Sequence, residues 1–105
     1  MKSYKEMITE QIDICRSAMN IGNTNLFANA LLNLFNLLKP KLSEELRKRG
    51  ELLMSDISRM DLLPYLVKRH KRSEMVEFYA GLVEYCIEQS LLVEDPDRDV
   101  LKGLG

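Results

Sequence analysis

The chain has no tryptophan and a single histidine, His70. With one histidine, neither a Ser-His-Asp triad nor a histidine-rich metal site can be assembled within one chain. His70 and Glu74 are spaced i, i+4, but two ligands do not make a metal site, and an exposed histidine is expected. Nor is there a Gly-rich phosphate loop, a nucleophile elbow, a Cys-x-x-Cys pair or the Glu-x-x-His pair of di-iron bundles. Asp95, Asp97 and Asp99 imitate the opening of a calcium loop, yet its sixth position is Val100 where glycine is required. A turn is expected there. These absences argue against an enzyme and against any metal, cofactor or small-molecule substrate.

Cysteine is equally scarce. Cys15 and Cys86 fall on apolar helical stripes, where core packing is the expected role. Two cysteines without disulfide-rich spacing, behind a start that reads as an amphipathic helix and not as a signal peptide, point to a reducing, cytoplasmic setting. Aromatics make up 7% of the residues, so the core must be built from Leu, Ile, Met and Val.

One further absence is local. Between Arg16 and Lys39 there is no charge for 22 residues, although 30% of the chain is charged. Six asparagines occupy this stretch, which with Gly22 argues against a membrane span. Asn25, Asn29, Asn33 and Asn36 lie within about 80° of one another on a helix. The rest of that helix is apolar, from Leu26 and Phe27 to Leu37 and Leu38. A helix apolar nearly all round belongs in an interior. An amide stripe on such a helix suits a seam that pairs across a two-fold axis and sets register. The competing reading is a stripe that faces solvent in a monomer.

Helix signals run along the chain. Ser3 and Glu6 form a capping box, followed by the stripe Tyr4, Ile8, Ile12, Cys15 and Met19. Gly22 is placed to end that helix. Asn23 or Thr24 caps the second, which should stop near Leu38 because Pro40 disfavours helical geometry at Lys39. A third helix is expected from Pro40, with Leu42, Leu46, Leu53, Ile57 and Met60 in phase; either one helix of about 20 residues runs through Gly50 or two short ones meet there, and the cost of glycine inside a helix favours the break. A short helix over Tyr65, Leu66 and Val67 follows. The run from Lys68 to Glu74 has no apolar residue and reads as a loop or protruding turn. Ser73 then caps a final helix carrying Met75, Tyr79, Leu82 and Cys86. Glu6, Glu10 and Asp13 on the first helix, and Glu77, Glu84 and Glu88 on the last, lie opposite the apolar stripes and should be solvated. The expected fold is all-α: a compact single-domain bundle of four to five helices over 1–93, with a C-terminal turn and tail over 94–105.

Charge is unevenly spread around a net value of −1. Residues 39–72 carry ten Lys/Arg against five Asp/Glu, and residues 73–105 carry two against eight. Arg47, Lys48 and Arg49 with Lys68, Arg69, Lys71 and Arg72 would form one positive surface if their helices lay side by side, a phosphate-binding candidate. A helix-turn-helix around Gly50 fits weakly, since Asp56 would face DNA. The segment Arg59-Met60-Asp61-Leu62-Leu63 resembles the R-x-D-L element of death-effector domains, helical bundles that associate homotypically. The match is confined to these residues, and the chain continues further than that family needs. The functional expectation is a non-enzymatic helical protein that binds other proteins, itself included as a homodimer. The alternative is a nucleic-acid-binding regulator using the basic segments.

Overall fold

The computed structural model describes residues 1–93. Four α-helices account for about three quarters of them: α1 (Tyr4–Asn20), α2 (Thr24–Leu38), α3 (Glu44–Ile57) and α4 (Tyr65–Glu88), with 3₁₀ turns at Lys39–Lys41 and Met60–Leu62. The tail expected over 94–105, with its Asp95, Asp97 and Asp99 turn, lies outside the described residues.

The start of α1 forms as its sequence dictates. The Ser3 hydroxyl accepts from the Glu6 amide at 3.2 Å, and the Glu6 carboxylate accepts from the Ser3 amide at 3.3 Å. At the other end Gly22 has a φ of 71°, which glycine adopts without cost. The Gly22 amide donates to Met19 O and the Asn23 amide to Ala18 O, closing the helix. Asn23 then caps α2, its Oδ1 accepting from the Leu26 amide at 3.0 Å.

Three boundaries differ from expectation, each for a tertiary or capping reason. Pro40 sits in a 3₁₀ turn and not in α3. The cap of α3 is Ser43, whose hydroxyl accepts from the Leu46 amide at 3.3 Å, with Glu44 and Glu45 in the first turn favoured by the helix dipole. Helix α3 also runs unbroken through Gly50, which is buried. A Cβ there would stand 2.3 Å from Phe35 Cε1 and 2.7 Å from Phe78 Cζ. The glycine admits the edge-to-face ring pair of Phe35 and Phe78, 5.8 Å between centroids, that joins α2 to α4 beneath α3. Finally, α4 is one helix of 24 residues that takes in the whole basic run, with Ser73 in its interior. The helix count among the described residues is four.

The core lies between α1, α2 and α4. Ile8, Ile12, Cys15 and Ala18 meet Phe27, Ala30, Leu31, Leu34 and Leu38, with Met75, Leu82, Val83 and Cys86 from α4. A second ring pair, Phe27 with Tyr79 at 5.9 Å, ties α2 to α4. Thr9 is buried and fully used: its hydroxyl donates to Lys5 O at 2.7 Å and accepts from the Val93 amide at 3.0 Å. No described helix is long and apolar enough to cross a membrane.

Candidate functional site

The neighbours of α2 cover only one of its sides. Phe27, Ala30, Leu31, Leu34, Phe35 and Leu38 are buried, while Asn25, Asn29, Asn33 and Asn36 are all exposed, with Leu26 and Leu32 beside them. The sequence suggested a helix enclosed on nearly every side; in the single chain the asparagine stripe is an open surface. Asn33 alone reaches another helix, its Nδ2 donating to Gln11 Oε1 at 3.4 Å.

The basic residues divide into two groups. Asp56 on α3 pairs with Lys71 on α4, and Gly50 lies against Phe78, so the two helices run antiparallel. That register sets Arg47, Lys48 and Arg49 roughly 15 Å farther along α4 than Lys68 to Arg72, from the 1.5 Å rise per residue. The two segments therefore do not merge into one patch. Lys48 pairs with Glu44 at 3.1 Å. Lys71 is committed to Asp56 at 2.8 Å and Glu74 at 3.2 Å, and these hydrogen bonds hold Asp56 below and Lys71 above their ordinary pKa values. Glu74 Oε1 also lies 2.9 Å from His70 Nε2, and the histidine is exposed.

The remaining cations of the second group converge. Lys68, Arg69 and Arg72 line one recess of about 240 Å³ with Tyr65, Asp61 and the first turn of α2 at Thr24 and Asn25. None of the three pairs with a carboxylate among the described residues. The sequence placed these residues on a loop or a protruding turn, and the continuous helix aligns them.

The first ten residues of α4 include no buried side chain; the first is Met75. Large apolar groups are therefore exposed from the turn onward: Leu62 at 86%, Leu66 at 74% and Tyr65 at 72% of their full surface, with Val76 at 42% and Ile87 at 41%. Leu66, Arg69, Ser73, Val76, Ala80 and Ile87 are all exposed. They fall within about 80° of one another on the helix, opposite the flank facing α3. Sequence reasoning missed this face because it began the last helix at Ser73. The alternating three- and four-residue spacing carried the signal.

The thiols offer no reactive centre. Cys15 and Cys86 are free and fully buried, and burial pushes both up to about 12. An open groove of about 1160 Å³ follows α1 to the end of α4, and its lining mixes Lys2 and Lys5 with Glu6, Glu10 and Asp13. No three metal-ligating side chains cluster among the described residues. The Met60–Leu62 turn holds the residues that resemble the death-effector element, with Leu62 pointing to solvent. No family model, curated protein or solved structure matches this chain.

Proposed function

We propose that this protein acts by binding other protein chains, with self-association as its first mode, and not by catalysis. The observation that carries the reading is the set of large apolar side chains left in water at Tyr65, Leu66, Val76 and Ile87 along α4, with Leu62 in the turn before it. Exposed apolar groups that gather on one element, rimmed by charge, are a feature of interaction surfaces. The asparagine stripe of α2 is the second surface available for pairing. Sedimentation velocity over a wide micromolar range tests the reading. A coefficient that climbs to the dimer value with concentration is expected, and a monomer throughout overturns self-association. Replacing Asn29 and Asn33 with Leu in the same experiment assigns or dismisses the stripe as the seam.

A second reading rests on the recess formed by Lys68, Arg69 and Arg72 beside Tyr65. Unpaired cations next to an aromatic ring suit the phosphates and bases of a nucleic acid. Fluorescence anisotropy of a labelled DNA duplex would then report salt-sensitive binding below about 10 μM at low salt, lost when the three cations become alanine. Absence of binding at low salt removes this reading.

A further inference from the structure

Helix α4 has two working sides. One carries Met75, Phe78, Tyr79, Leu82, Val83 and Cys86 into the core. The other presents Leu66, Arg69, Ser73, Val76, Ala80 and Ile87 to solvent. Position 83 completes the spacing of the outer row but is turned inward. Spacings of three and four residues sustained over this length bring one helix alongside another.

Charge along the helix selects the partner. Its first part holds Lys68, Arg69 and Arg72, with Lys71 and Glu74 paired to each other and Lys71 to Asp56; its last part holds Glu77, Glu84 and Glu88 and no cation. All three glutamates are exposed, as are Arg69 and Arg72. A surface that is basic at one end and acidic at the other is its own complement when two copies meet antiparallel. An isologous two-fold interface requires this property. Parallel alignment would set like charge against like.

Resting on the self-association reading, we infer that two copies of this chain pair antiparallel through the outer faces of their α4 helices. The two-fold axis passes between Val76 and Glu77. This register sets Leu66 against Ile87 of the second copy, so the two large apolar groups cover each other at both ends. Arg69 faces Glu84 of the second copy, and the pair occurs twice by symmetry. Ser73 faces Ala80, and these short side chains let the backbones come close near the centre. Val76 meets its own counterpart beside the axis. Leu66, left exposed at the start of α4, is covered by this pairing. A nucleic acid would use Arg69 but leaves Leu66, Val76 and Ile87 in water, so the apolar row favours a protein partner.

Charge exchange provides the test, read by sedimentation or fluorescence-detected dissociation of the full chain. Arg69→Glu and Glu84→Arg each turn two opposed pairs into two like pairs, and each should weaken the dimer roughly tenfold. The two substitutions together restore opposed pairs and should return the dissociation constant to within about threefold of the original. Both side chains are exposed, so folding should survive, and circular dichroism verifies it. Val76→Cys should form a covalent dimer on mild oxidation, since Cys15 and Cys86 are buried and do not compete. A dimer indifferent to both single exchanges overturns the α4 pairing and leaves self-association standing. A double variant no better than the singles overturns this register. A chain that stays monomeric at every concentration overturns both readings.

Discussion

Gly50 shows how far a residue's meaning depends on its neighbours. By propensity it is a weak point, about 1 kcal/mol worse than alanine inside a helix. In the folded chain it is the clearance for two rings. Alanine at this position would recover the propensity but set a Cβ 2.3 Å from Phe35 Cε1. Overpacking of this kind costs about 1–3 kcal/mol, so Gly50→Ala should lower the free energy of unfolding despite the better helix former. A urea titration measures the difference, and a stabilised variant would show that the rings move aside freely. Cys15 and Cys86 were legible from type and phase alone, because an apolar stripe identifies the buried side of a helix. Gly50 was not, because nothing local records that Phe35 and Phe78 meet there.

The elements themselves repeat the contrast. Helix α1 was legible from end to end, with its capping box, its stripe and its glycine stop, since each of those signals is local. Helix α4 was not. A stretch from Lys68 to Glu74 without an apolar residue looks like a loop until the links that support it are known. Within the helix His70 and Lys71 reach Glu74, and across to α3 Lys71 reaches Asp56. That staple makes stability depend on pH. The Lys71 hydrogen bond lowers the folded-state pKa of Asp56, so the contribution of Asp56 is complete above the ordinary carboxylate value of 3.8. It is lost as pH falls through the lowered value. Lys71 is raised in turn, and its share fades only above 10.5. Asp56→Asn should therefore reduce the urea midpoint at neutral pH, and the gap to the parent should close as the solution is acidified below 3.8. A gap that persists unchanged in acid would assign the effect to packing and not to the ion pair.

At the scale of the whole molecule, charge is segregated along the chain, and the fold distributes it in a way composition does not reveal. Antiparallel packing of α3 on α4 separates Arg47 to Arg49 from the second basic group, and the continuous α4 gathers Lys68, Arg69 and Arg72 at one recess. The asparagine stripe is real as a stripe, but its surroundings belong to the assembly of four helices, which leaves it open. The sequence by itself determined the all-α class, the ends of α1, the face that α1 buries and the burial of both thiols. Those properties follow from spacing and capping within a few residues. The tertiary structure alone decided that α3 passes through Gly50, that α4 is one helix and which cations stand together. Each of these depends on a contact between residues distant in sequence, where local propensity carries no information.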